Sequence, residues 1–155
     1  MPARVPWHGP TPKVMRYSHM ASCTGLSHEL ARRIRNPDED RRSLYSRIAF
    51  NMATGNGDDH EANHGLVLDR PEYGYRLAPL FDPVPSTDLP AKELAMACGD
   101  DGRRISRRNL LSRPGQFGLD REHAEDLLKR IGTTVAQCWR ETLRTLGAEP
   151  RSVDR

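Results

Sequence analysis

The hydrophobic pattern of the chain changes its period at one short polar loop, and this change limits the folds that the chain can adopt. Before the loop, apolar side chains recur at helical spacing; they are Leu44, Tyr45, Ile48 and Met52, with Ala49 beside them. After it, residues 65–69 and 73–79 are short and rich in β-forming residues, with a turn-forming stretch between them. The pattern therefore predicts a long helix, a polar loop and a β-hairpin.

The ends of the long helix also carry signals. Asn36 can cap its first turn, and Pro37 stands where a first-turn proline is tolerated. Acidic residues follow, where the helix dipole favours them. Gly55 can adopt the left-handed conformation that ends a helix.

Two further helices are expected, one over residues 26–35 and a long one over residues 120–147. The apolar face of the long helix consists of Leu127, Leu128, Ile131, Val135, Trp139, Leu143 and Leu146, and Cys138 is expected near it. A short helix capped by Ser106 is predicted as well, whereas residues 92–102 are ambiguous between strand and irregular structure. The predicted fold class is mainly α with one small β-hairpin.

Composition narrows the class of protein. The 155 residues suit one domain, predicted at residues 14–148, after a proline-rich disordered lead-in at 1–13 and before a tail at 149–155. The three cysteines form no C-x-x-C pair, which favours reduced thiols in a cytoplasmic protein. No apolar run is long enough to span a membrane. The net charge of +3 is spread among acidic residues, so direct nucleic-acid binding is not expected.

The sequence of the polar loop matches the motifs of two different kinds of functional site. From His60 to His64 it spells H-E-x-x-H, which is typical of zinc hydrolases when it lies in a helix. Glycines at positions 55, 57 and 65 argue against a helix here, and the downstream third histidine of the common pattern is missing. A zinc hydrolase is therefore kept only as a remote alternative.

From Asp58 the same loop spells D-x-H-x-x-N, a carboxylate followed five residues later by an amide. Phosphoryl transfer needs a group that orients the attacking hydroxyl and hard oxygen ligands for magnesium. Asp58 can accept the hydroxyl proton, Asn63 can offer a carbonyl oxygen, and the hairpin can return Asp82 as a metal carboxylate. Gly55 and Gly57 are expected to supply positive φ angles.

The segments "RIAFNMATGNGDDHEANHG" and "LAPLFD" resemble the C-terminal lobe of HipA-like serine/threonine kinases, the toxins of bacterial type II toxin–antitoxin systems. The resemblance covers about residues 17–147. It implies a lobe of a protein-kinase-like fold in which Asp58 is the catalytic aspartate. It also implies that His60, Asn63 and Asp82 contact the nucleotide, with Asn63 and Asp82 as magnesium ligands.

The resemblance implies ATP as substrate, Mg²⁺ as cofactor, and phosphorylation of serine or threonine on a protein target that the sequence does not identify. The best-known family member acts on a glutamyl-tRNA synthetase, and members usually pair with a helix-turn-helix antitoxin. Upstream of Asp58 there is no glycine-rich strand–loop–strand, and the only lysine is Lys13. We therefore expect a truncated C-terminal lobe that is inactive alone.

The runner-up hypothesis is a non-catalytic helical remnant that binds a partner protein, such as an antitoxin or a separately encoded N-terminal lobe. Two departures from the family pattern also lead to expectations. The family often has threonine or serine where Gly57 stands, so a looser loop is expected. Pro83 directly follows Asp82, which predicts extended backbone at that aspartate.

Overall fold

The structure is a computed structural model, and it describes residues 22–34, 36–69, 74–86, 91–145 and 147. The predicted lead-in at residues 1–13, the predicted tail at 149–155 and most of the predicted hairpin turn lie outside these residues. The limits of the domain at 14–148 stay a prediction.

The described elements follow the predicted order. Four α-helices are α1 (Cys23–Arg33), α2 (Pro37–Thr54), α3 (Arg107–Leu110) and α4 (Arg121–Thr145), and single 3₁₀ turns form at Glu61–Asn63 and Pro114–Phe117. Strands β1 (Leu66–Asp69) and β2 (Gly74–Leu77) pair antiparallel, with Leu66 opposite Leu77. The prediction of a mainly helical domain with one small hairpin is confirmed.

The hydrophobic core lies between α1, α2 and the first turns of α4. Its largest fully buried side chains are Tyr45 and Phe117, whose ring centroids are 5.2 Å apart at an interplanar angle of 59°. The Tyr45 hydroxyl donates a hydrogen bond to the Leu110 carbonyl at 3.2 Å, so its polar end is satisfied inside the core. The core therefore fixes α2 along its length, and α2 carries the loop of interest at its end.

The sequence predicted the C-terminal end of α2 correctly, but not the capping of its N-terminal end. Gly55 ends the helix with φ 68°, as expected. The Asn36 side chain makes no capping bond to the helix backbone, and its Nδ2 lies 3.4 Å from Glu39 Oε2 instead. The prediction of an asparagine side-chain cap was wrong, because Asn36 has ψ 72° rather than the extended backbone of a cap.

Among the described side chains of helix α4, those that pack on the core lie in its first half, and the predicted core residues Leu143 and Leu146 lie outside the described side chains. Leu128 is buried, and Leu127 and Ile131 pack against the core, whereas Val135 and Trp139 are only partly buried and lie outside the core cluster. Cys138 is exposed, so its predicted place near the buried face was wrong. Among the described helices, none is both long and apolar enough to cross a membrane.

Residues 92–104 form an irregular turn with isolated bridges, Glu93 with Arg104 and Gly99 with Gly102. The short helix α3 follows it. As predicted, the Ser106 side chain caps α3 by accepting a hydrogen bond from the Asn109 backbone at 3.1 Å.

Candidate functional site

The polar loop begins with a buried pair of amides. The Asn56 side chain donates to Asn51 Oδ1 at 3.1 Å, and the Asn56 backbone donates to the Asn51 carbonyl at 2.9 Å. Asn56 Oδ1 in turn accepts a hydrogen bond from the Asp58 backbone at 3.2 Å. The last turn of α2 therefore sets the position of the Asp58 backbone through a short chain of hydrogen bonds.

Gly57 is needed for close packing rather than for a positive φ angle. Its φ is not positive, so that expectation was wrong, whereas Gly55 at φ 68° meets it. A Cβ at position 57 would lie 2.6 Å from the Ala91 Cβ and 3.0 Å from the Glu93 carbonyl. A serine or threonine here would push the loop away from residues 91–93, so glycine holds it closer instead of loosening it.

The adjacent aspartates at the start of the loop face opposite environments. Asp58 is exposed, whereas Asp59 is only 4% exposed. Asp59 Oδ1 lies 3.1 Å from Nε2 of the buried His64, although neither ring nitrogen of His64 makes a well-directed hydrogen bond. Asp59 and His64 are therefore structural residues of the loop, whereas Asp58 exposes its carboxylate to solvent.

Asn63 is tied to Asp58 by its own side chain. Its Nδ2 donates to the Asp58 carbonyl at 3.0 Å, and its backbone donates to the His60 carbonyl at 2.9 Å. The side chain is 6% exposed, yet no described residue donates a hydrogen bond to its Oδ1. His60 is half-buried and begins the 3₁₀ turn that places Asn63.

The hairpin returns the chain to this loop, as the sequence predicted. The Ala78 backbone donates to the Gly65 carbonyl at 2.8 Å, and the Ser86 backbone donates to the Thr54 carbonyl at 3.1 Å. Residues 78–86 therefore run back beside the loop, and Asp82 lies between these two anchor points.

Asp82 has φ 55°, the only positive φ of a described residue that is not glycine. The expectation of extended backbone before Pro83 was therefore wrong, because the segment must turn between its two anchors. Left-handed backbone at a residue other than glycine is strained, and such strain concentrates at functional sites. The Asp82 carboxylate is exposed and has no ion-pair or hydrogen-bond partner within the described ranges.

The zinc interpretation has no helix to support it. Residues Glu61–Asn63 form a single 3₁₀ turn, so His60 and His64 do not lie on one face of an α-helix. His64 is buried beside Asp59 instead. In the part of the chain that the structure describes, no group of three or more His, Cys, Asp or Glu side chains could hold a metal ion.

The sequence interpretation missed two buried charges on α2, Asp40 and Arg47. Asp40 Oδ2 accepts a hydrogen bond from the Leu77 backbone at 2.8 Å, and the Arg47 guanidinium donates to the Ala78 carbonyl. Burial lowers the pKa of Arg47, and the carboxylates of Asp40 and Asp59 oppose this shift. Both residues stand at core-facing positions of the helix beside Leu44 and Ile48, and a charge within an apolar stripe was the available signal.

These features define a mainly helical domain in which the segment that carries Asp82 runs back beside the loop that carries Asp58 and Asn63. The family model of the HipA-like C-terminal domain matches residues 11–139. The chain therefore belongs to the HipA-like C-terminal domain family. A comparison with curated proteins found no match.

Proposed function

We propose that the domain is the C-terminal lobe of a HipA-type, protein-kinase-like fold that binds ATP with Mg²⁺ and phosphorylates serine or threonine on a protein. The observation that carries the proposal is the tether between Asn63 Nδ2 and the Asp58 carbonyl. It fixes the candidate base and the candidate metal ligand relative to each other. Preorganised groups of this kind supply most of the catalysis in phosphoryl transfer.

Asp58 is the proposed general base. Its carboxylate is exposed and has no cationic partner in the described parts of the chain, so a substrate hydroxyl can reach it. A base must come within hydrogen-bond distance of the proton it accepts. Asp59 is less suitable, because it is buried against His64.

Asn63 and Asp82 are the proposed ligands of magnesium. Mg²⁺ prefers hard oxygen ligands and is usually bound by one or two protein groups together with substrate phosphates. Asn63 Oδ1 and the Asp82 carboxylate are such oxygens, and no described residue competes for either. The residues therefore fit the ion, which would neutralise the phosphate charge of ATP when bound. His60 is the proposed nucleotide contact.

Phosphoryl transfer also requires a loop that covers the phosphates and a lysine that pairs with them. We propose that an N-terminal kinase lobe supplies both, on the same or on a separate polypeptide. A helix-turn-helix antitoxin is the proposed regulatory partner, and a type II toxin–antitoxin system is the proposed setting. Membership of the HipA-like C-terminal domain family is what supports this part of the proposal.

Calorimetric titration of Mg²⁺–ATP into the protein tests the proposed site. The wild-type protein is expected to bind only when magnesium is present, because the ion joins the phosphates to Asn63 and Asp82. Asp82→Ala and Asn63→Ala should each abolish the magnesium-dependent part of binding. The matched control is Asp126→Ala, which removes an exposed carboxylate of α4 that pairs with Arg130.

Binding should be unchanged in the Asp126→Ala control. If the wild-type protein gives no response to Mg²⁺–ATP, either alone or with a HipA-type N-terminal lobe added, the proposal fails. Magnesium-dependent binding that survives Asp82→Ala would place the metal elsewhere.

A second candidate function is a non-catalytic module that binds a partner protein, and one observation favours it. Large apolar side chains are exposed along the hairpin and the segment after it: Val67, Leu68, Tyr75, Leu80, Phe81 and Val84. Large exposed apolar side chains in this number are typical of interaction surfaces. This function predicts self-association in sedimentation velocity that Leu68→Lys reduces, together with no response to ATP. A monodisperse monomer would contradict it.

A further inference from the structure

Arg47 is a buried cation for which the proposed chemistry has no direct use. It lies in the middle of α2 and is 7% exposed. Its Nη2 donates to the Ala78 carbonyl, whereas its Nη1 is buried without a hydrogen-bond partner among the described residues. A buried guanidinium with an unmatched donor destabilises a fold compared with an apolar side chain of similar size. Its presence therefore requires a local reason.

Arg47 and Asp40 contact adjacent residues at the end of the hairpin. Asp40 accepts a hydrogen bond from the Leu77 backbone at 2.8 Å, and Arg47 donates to the carbonyl of the next residue, Ala78. Two consecutive residues at the end of β2 are therefore held by two side chains of one helix. The Ala78 backbone N–H continues the connection, because it donates to the Gly65 carbonyl at 2.8 Å.

A carboxylate of the polar loop also acts on Arg47 electrostatically. The Asp59 carboxylate favours the charged form of the Arg47 guanidinium, as the Asp40 carboxylate does. Asp59 itself lies 3.1 Å from His64 at the far end of the loop. The guanidinium therefore bonds to the segment that leads to Asp82 and is attracted by a carboxylate of the loop that carries Asp58 and Asn63.

We propose that Arg47 is a positioning residue that holds residues 78–82 against residues 58–63, so that Asp82 and Asn63 face the same ion. The identity of that ion rests on the proposed function, whereas the positioning of residues 78–82 by Arg47 does not. Arg47 touches neither substrate nor metal in this account. It acts through the Ala78 carbonyl and through Asp59.

The test combines native-state hydrogen exchange with Mg²⁺–ATP titration on the full chain. In Arg47→Met, exchange at the Ala78 amide is expected to accelerate at least tenfold more than exchange at the core amide of Leu128. Mg²⁺–ATP affinity is expected to fall at least tenfold. Arg47→Lys keeps the charge between Asp40 and Asp59 and should restore most of both properties, which a purely space-filling role would not predict.

The matched control is Arg76→Met, at an exposed arginine on β2 that lies 3.9 Å from the Glu39 carboxylate. It should leave both measurements unchanged. If Arg47→Met does not fold, Arg47→Gln replaces it with the same expected direction. Ala78 exchange that accelerates no more than Leu128 exchange overturns the proposal.

Hydrogen exchange and Mg²⁺–ATP titration test separate claims. A wild-type protein that does not bind Mg²⁺–ATP defeats the proposed function, and the exchange data then still decide whether Arg47 holds the segment. Normal Mg²⁺–ATP affinity in a folded Arg47→Met protein whose Ala78 amide is deprotected overturns the link between Arg47 and the site.

Discussion

Two buried asparagines organise two turns of this domain, and they use their side chains differently. Asn109 Oδ1 accepts from the Asp101 backbone at 2.8 Å, and its Nδ2 donates to the Gly102 and Arg104 carbonyls at 3.0 and 2.8 Å. Asn63 makes one side-chain hydrogen bond to a described residue, from Nδ2 to the Asp58 carbonyl. The Asn109 amide is saturated, and the Asn63 amide keeps its oxygen available.

This difference separates a structural amide from a candidate ligand. A buried side chain whose donors and acceptor are all matched stabilises its turn and has no capacity left for a ligand. A buried side chain that is held by its donor alone presents a fixed oxygen. Close packing at a glycine supports both turns, since a Cβ at Gly99 would lie 2.1 Å from the Asn109 carbonyl and one at Gly57 would clash with Ala91.

The largest expected effect is on stability and concerns the saturated amide. Asn109→Ala removes three side-chain hydrogen bonds to the backbone and leaves buried groups unmatched, so it should lower the free energy of unfolding by about 3 kcal/mol. Asn63→Ala removes one side-chain hydrogen bond and should lower the free energy of unfolding by about 1 kcal/mol. Urea denaturation measures both. Equal losses in the two variants would break the comparison.

The next effect concerns the packing of the loop. Gly57→Ala places a Cβ against Ala91 and should lower the free energy of unfolding by about 2 kcal/mol, with weaker Mg²⁺–ATP binding because the loop moves. Gly132→Ala is the matched control, since position 132 lies within α4 with open space around it. It should be neutral or stabilising. A neutral Gly57→Ala would show that the contact with residues 91–93 is dispensable.

A smaller effect is expected at high pH, beside the saturated turn. Burial raises the pKa of Cys98 from its usual value of 9.0 to about 11. The thiol of the unfolded chain therefore ionises first as pH rises. The stability associated with this thiol is fully present below about pH 9 and is lost progressively as pH rises towards about 11.

Urea denaturation between pH 8 and pH 11 measures this loss, which Cys98→Ala should reduce. Cys138→Ser, at an exposed thiol, is the control and should retain the full loss. Identical pH profiles for Cys98→Ala and the wild-type protein would show that other groups cause it.

The sequence predicted the features that depend on neighbouring residues. The period of the apolar residues predicted α2 and the hairpin, and Gly55 marked the end of the helix, because these signals act within a few residues. The sequence also predicted that the chain would return beside the loop after the hairpin, whereas the approach of Asp82 to Asp58 and Asn63 stays a prediction.

The features that depend on distant segments were not predictable in the same way. Gly57 is required by its contact with Ala91, and the buried Arg47 bonds to Ala78 and is attracted by the Asp59 carboxylate. The left-handed backbone of Asp82 results from anchors on both sides of it. Each depends on residues that only the folded chain brings together.

Nuclear magnetic resonance with Mn²⁺ in place of Mg²⁺ tests the central claim most directly, because the paramagnetic ion broadens signals close to it. With Mn²⁺ and ATP added, the side-chain amide signals of Asn63 and the backbone amide of Asp82 should broaden, while those of Asn109 stay sharp. Broadening should also disappear in Asp82→Ala. Unaffected Asn63 signals, or equal broadening of Asn63 and Asn109, would contradict the assignment of Asn63 and Asp82 as the metal ligands.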